Sequence, residues 1–182
     1  MKRLFVSATV LLAATFGFVV LGDELKSGLE PGSFPGAFEV LDCSGPAKGE
    51  TLCYRCRFKD AAVVSVFSRN TDEKTVALLK ELNGQLEKSK GLNAFFVLLT
   101  DDAKANEGKL TELASKNKID KVPLTIFEGK SGPEAYEISE KAELTVLMWV
   151  ANDVKVNRAY PKGKLDKDAI KAIMGDTSKI LK

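Results

Sequence analysis

Seven residues, Ala62 to Ser68, constrain this chain more than any other stretch. Val63, Val64, Val66 and Phe67 make the run apolar and β-branched on both faces, the pattern of a strand buried on both sides. A helix start follows at once. Asn70 is placed to cap it, with Glu73 three residues on to complete a capping box. Val76, Leu79, Leu82 and Leu86 then fall on one helical face, and Gly91 is placed to end the helix. Leu92 to Leu99 is a second continuous apolar run.

The other elements are read around this unit. Ala37 to Leu41 alternates as a short strand, with Phe38 and Val40 on one side. Ser44-Gly45-Pro46 and Lys48-Gly49 are turn signals. Leu52 to Phe58 reads as the return arm of a hairpin, and Lys59-Asp60 as the next turn. A second helix is expected from about Asn106 to Asn117, with Leu110, Leu113 and Ala114 inward. Val122 to Phe127 reads as a third buried strand and Tyr136-Glu137-Ile138 as a small extended or helical piece. Leu144 to Val150 and Val154 to Tyr160 form a hairpin, and Leu165, Ile170, Ile173, Met174 and Leu181 mark a terminal amphipathic helix. Two helices linking buried strands, then a hairpin and a helix, imply an α/β fold with a central mixed sheet flanked by helices.

The chain has 182 residues and no histidine. That excludes Ser-His-Asp and Cys-His mechanisms and any histidine-ligated metal or haem. Residues 1–22 carry Lys2 and Arg3, then a long apolar run, in the layout of a signal peptide. The rival reading is an uncleaved anchor, the one route by which this chain would meet a membrane. Export, to a periplasm or the exterior, puts the three cysteines where disulfides persist. Residues 23–36, rich in Gly and Pro, read as an extended leader, and 37–182 as one domain. Without residues 1–22, 25 basic residues balance 25 acidic ones, so nothing in the charge balance implies an electrostatic platform for nucleic acid. Nothing in the composition calls for a cofactor.

The order of elements resembles the thioredoxin-like superfamily, and its peroxiredoxin and redoxin branch more than thioredoxin itself. Gly36 to Asp42 is similar to the family's opening strand and hairpin. Val63 to Ser68 looks like the strand before the active-site turn, Val122 to Ile138 like a later peroxiredoxin stretch, and Leu144 to Ala159 like its final hairpin. The resemblance implies a three-layer fold with an N-terminal β-hairpin. It also exposes a departure. Peroxiredoxins carry Pro-x-x-x-Thr-x-x-Cys, and thioredoxins Cys-x-x-Cys, at the start of the first helix. The equivalent here, Ser68 to Thr75, has no cysteine. The proline that thioredoxins place before the strand facing the site is matched either by Pro123 or, if the facing strand is Leu144–Val150, by Thr145. The second is favoured because it leaves a hairpin and a helix after it, and it gives Pro123 no site role.

A Cys-x-x-Cys does occur, but ahead of the central strand, as Cys53-Tyr54-Arg55-Cys56. Three readings stay open. The pair is a redox dithiol, one sulfur attacking and the other resolving, with Arg55 and Arg57 favouring thiolate. Or it is a structural bridge, including a Cys43–Cys53 bridge across the hairpin. Or Cys43, Cys53 and Cys56 hold Cu(I), or Zn²⁺ with a carboxylate such as Asp42. Arg69, at the start of the first long helix, is either an anion ligand or an ordinary surface arginine. Two functions follow. One is thiol–disulfide exchange through Cys53 and Cys56 with protein thiols and disulfides. The other is a non-catalytic scaffold that binds a protein partner, with the cysteines as a staple.

Overall fold

The computed structural model describes residues 25–181. The apolar segment read as a signal peptide or anchor therefore lies outside the described residues. Among the described residues, no helix is long and apolar enough to cross a membrane.

In chain order the elements are β1 (Val40–Asp42), β2 (Thr51–Leu52), α1 (Tyr54–Phe58), β3 (Ala62–Ser68), α2 (Glu73–Lys88), β4 (Leu92–Thr100), α3 (Ala103–Asn117), β5 (Leu124–Glu128), β6 (Ala142–Val150), β7 (Asp153–Pro161) and α4 (Lys167–Asp176). The strands form one sheet in the order β2-β1-β5-β4-β3-β6-β7. β3, β4 and β5 run parallel, and every other pairing is antiparallel. β3 is buried at all seven positions, as its two-sided apolar pattern requires.

Period-two alternation splits the core into two layers. Val64, Val66, Ala94, Phe96, Leu98, Val146 and Met148 face α2, α3 and α4, and pack against Leu78, Leu79, Leu82, Leu110 and Ile173. Val63, Phe67, Phe95, Val97, Leu147 and Trp149 face the other way. That second layer is thinner. It is covered by α1 through Tyr54 and Phe58, by the extended segment through Leu29 and Phe38, and by a 3-10 turn through Tyr136. All three long helices thus share one face, and the sheet's other face is left to short elements. Leu29 docks into this layer, whereas Phe34 stays 63% exposed.

Three local expectations change. Leu52 to Phe58 is not a return arm: only Thr51 and Leu52 pair with β1, and the chain then turns into α1. Tyr54 and Phe58, two residues apart from a strand-like Cys56, are also i and i+4. A helix turns both rings to the core, with centroids 5.4 Å apart. The N-cap of α2 is Asp72, whose Oδ1 accepts from the Thr75 N–H at 2.8 Å. Asn70 instead shapes the approach, its Oδ1 accepting from the Asp72 N–H and the Thr75 hydroxyl. The second helix starts at Ala103, capped by Asp102, rather than near Asn106. β6 lies antiparallel beside β3, with Thr145 opposite Phe67.

The terminal helix is held by charge as well as packing. Asp176, 6% exposed, accepts from Arg158 Nε at 2.7 Å and pairs with Lys179 Nζ at 2.8 Å. Burial pushes its carboxyl up, but these two cations outweigh burial and hold it below the usual range. Asp176→Asn is expected to cost roughly 1–3 kcal/mol at neutral pH. Because the folded value is depressed, this stability is present above the ordinary carboxylate range. It is lost as pH falls through the folded value. Melting curves of both proteins at pH 7 and at successively lower pH should show the gap closing in acid.

Candidate functional site: the Cys53–Cys56 bridge

α1 is five residues long, too short to persist on its own. Its place is set by its side chains. Tyr54 is 1% exposed and stacks on Phe95, centroids 5.5 Å apart and planes 18° apart. Its hydroxyl donates to Asp42 Oδ2 at 2.7 Å. Arg55 Nε donates to the Pro35 carbonyl at 2.8 Å, and its guanidinium carbon lies 4.5 Å from the Phe34 ring centre. This exposed aromatic therefore rests on the arginine between the two cysteines. Arg57 and Lys59 are exposed.

Cys53 and Cys56 are bonded to each other, their Cα atoms 5.2 Å apart. Cys53 is the N-cap of α1, and its sulfur accepts the Cys56 N–H at 3.0 Å. Cys56 is exposed and Cys53 half-buried. Reading Leu52 to Phe58 as a strand left neither cysteine at a helix start, and that is corrected here. The helix is α1, not the long α2, so the pair still precedes the central strand.

Cys43 does not join them. It is fully buried among the side chains facing the long helices, whereas Tyr54 sits in the opposite layer. Burial, then the negative charges of Glu107 and Asp42, push its thiol up to about 12, so it stays protonated. A Cys43–Cys53 bridge and a three-sulfur metal site are both overturned. Two of the sulfurs are consumed by one bond, and the third lies in the other layer. Asp42, the suggested zinc carboxylate, is fully buried and already accepts four hydrogen bonds. Among the described residues, no group of three cysteine or acidic side chains could hold a metal ion.

The start of α2, where the resembled families keep their sulfur, is occupied differently. The Arg69 guanidinium donates to the carbonyls of Lys130 at 2.6 Å and Ser139 at 3.0 Å. Its backbone N–H donates to the Glu143 carbonyl. Both guanidinium ends are thus spent tying down loops, and Asp72 fills the helix start. Neither the anion-ligand reading nor the ordinary-surface reading describes this residue.

Sequence reasoning gave Tyr54 no role of its own, read Gly45 as a turn residue, and took Asp42 as the end of a strand and a metal ligand. An aspartate two residues before Ser-Gly-Pro was the available signal, since such a side chain folds back onto the loop N–H groups after it.

No family model matches the chain, and no curated protein matches it. Solved structures do. A candidate protein disulfide isomerase from Bacteroides thetaiotaomicron superposes with a TM-score of 0.64 at 8% identity, over 86% of this chain and 94% of that one. A secreted disulfide oxidoreductase from Mycobacterium tuberculosis gives 0.54 at 11% identity, over 78% and 95%. A peroxiredoxin-like protein from Aquifex aeolicus gives 0.56 at 12% identity, over 88% and 91%. The fold is therefore thioredoxin-like, with an N-terminal β1–β2 hairpin and a mixed sheet covered on one face by the three long helices and on the other by α1 and shorter segments. Within it, the chain carries a bonded Cys-x-x-Cys ahead of the central strand instead of a cysteine at the start of α2.

Proposed function

We propose that the protein carries out thiol–disulfide exchange through Cys53 and Cys56, acting on protein thiols and disulfides after export. One observation carries this reading: the pair is bonded at the surface, with one sulfur exposed and the other provided with an N–H donor. A substrate thiolate attacks the exposed Cys56 sulfur. The Cys53–Cys56 bond breaks, and Cys53 leaves as a thiolate that the Cys56 N–H and the charges of Arg55 and Arg57 stabilise. A second substrate thiolate then attacks the substrate sulfur of the mixed disulfide and releases Cys56. Two electrons pass from substrate to protein, and the reverse sequence reduces a substrate disulfide. Export rests on the apolar character of residues 1–22.

The reduction potential of the bridge tests the reading. A value above about −300 mV supports exchange, and a lower one defeats it, since such a bridge resists the thiol pools it would meet.

A second reading, a binding scaffold stapled by the bridge, is favoured by Arg69, which ties loops together where the resembled families do chemistry. The variant Cys53→Ser/Cys56→Ser separates the two. Closing so short a loop stabilises by about 2 kcal/mol, so the variant should remain folded. Under the exchange reading it loses all insulin reduction. Under the scaffold reading the parent protein has no such activity to lose, and only the melting temperature changes.

A further inference from the structure

We propose that Asp42 and the Tyr54 hydroxyl are positioning residues that set how readily the Cys53–Cys56 bridge opens. This deepens the exchange reading and rests on it for its biological meaning. Neither residue touches a substrate, and both act through the backbone of α1.

The Asp42 carboxylate lies at the end of β1 and is fully buried. Oδ1 accepts from the N–H groups of Ser44 at 3.1 Å and Gly45 at 2.6 Å. Oδ2 accepts from the Ala47 N–H at 2.9 Å and the Tyr54 hydroxyl at 2.7 Å. Three of the four donors come from the loop after β1, so the carboxylate is fixed before α1 is considered. The fourth comes from the first residue of α1, which stands between the bonded cysteines. Burial, then the bond to Asp42, push the Tyr54 phenol well above its ordinary value, so it remains a donor at neutral pH.

This contact joins residues 12 apart in sequence and makes no use of the bridge. It therefore persists when the bridge is opened. In the dithiol, Tyr54 stays fixed to Asp42 and to Phe95, and Cys53 and Cys56 flank it with little freedom to separate. An intramolecular bond forms more favourably the less motion its partners must give up. The anchor thus raises the effective concentration of one thiol at the other and biases the pair toward the bridge. A five-residue helix without it would fray on reduction. Opening the bridge with glutathione takes two thiols: one glutathione disulfide forms, and Cys53 and Cys56 gain two electrons and two protons.

The experiment is the equilibrium between bridge and dithiol in glutathione buffers of stepped ratio, read by acid quenching and thiol labelling, beside the melting temperature. Tyr54→Phe keeps the ring on Phe95 and removes only the hydroxyl. It should shift the equilibrium toward dithiol by about tenfold, equal to about 30 mV. Asp42→Asn keeps the shape but presents an amide to the loop donors, and should shift it the same way. The double variant should shift no further than the larger single one, because both remove one contact. A shift below twofold for Tyr54→Phe overturns the proposal, whatever the melting temperature does, because a purely structural role lowers stability without moving this ratio. Additive shifts in the double variant overturn it as well. Failure of the exchange reading looks different. There the parent bridge stays closed at every glutathione ratio and opens only in dithiothreitol, in which the variant shifts remain measurable.

Discussion

Phe95→Ala is expected to destabilise the oxidised protein by roughly 3–5 kcal/mol, the range for truncating a fully buried aromatic ring. Phe95 is 0% exposed at the middle of β4 and touches most of the thinner core layer. Its ring centre lies 5.5 Å from Tyr54, 6.3 Å from Phe58, 6.1 Å from Phe38 and 6.1 Å from Trp149. The cavity left behind has no long helix above it to collapse inward. Both rings by which α1 rests on the sheet lose their floor. Urea denaturation should therefore show the loss, and dithiothreitol should open the bridge faster than in the parent. A loss under about 1 kcal/mol would mean that this layer is not packed as described, since even an ill-filled site costs more for so large a ring. Set against a typical domain stability of about 5–15 kcal/mol, the expected loss is a large fraction of the whole.

Gly45→Ala is expected to cost about 2–4 kcal/mol, although the change adds one methyl group. A Cβ at this position would lie 2.5 Å from the Tyr54 hydroxyl, 2.7 Å from Asp42 Oδ2 and 2.7 Å from Pro123 Cβ. None of these is the free end of a flexible chain. Tyr54 and Asp42 hold each other, and Pro123 is a ring between buried residues. Relief requires the phenol to move off the carboxylate, which leaves buried polar groups unpaired. Gly49, in the same loop, is the control. Its φ is +87° and nothing lies within 4 Å of its would-be Cβ. Gly49→Ala meets backbone strain alone, about 1 kcal/mol. Equal losses at the two positions in thermal denaturation would count against the account of the Asp42 loop.

Much of the architecture was legible from residues alone, and for one reason. Ala62–Ser68 and Leu92–Thr100 are apolar on both faces, and few arrangements other than the middle of a sheet suit such strands. The helix between them followed from spacing, although α2 turns Leu78 inward where Val76 was expected to be the buried residue. Short elements were less legible. Leu52 to Phe58 satisfies a period of two and also places Tyr54 and Phe58 one helical turn apart. Over seven residues nothing local decides between them. The choice falls to whether Phe95 and Asp42 stand ready to receive Tyr54, and both come from elsewhere in the chain.

The candidate site divides in the same way. The spacing of Cys53 and Cys56, their basic neighbours, and the lack of any cysteine from Ser68 to Thr75 are properties of the sequence, and they alone put the candidate site ahead of the central strand. Which sulfurs bond, which one faces solvent, and what fixes the helix that carries them were decided by the tertiary structure. Cys43 and Asp42 are adjacent in the chain, but successive side chains leave a strand in opposite directions. One therefore enters the layer under the long helices as a protonated thiol, and the other meets Tyr54 beneath the bridge.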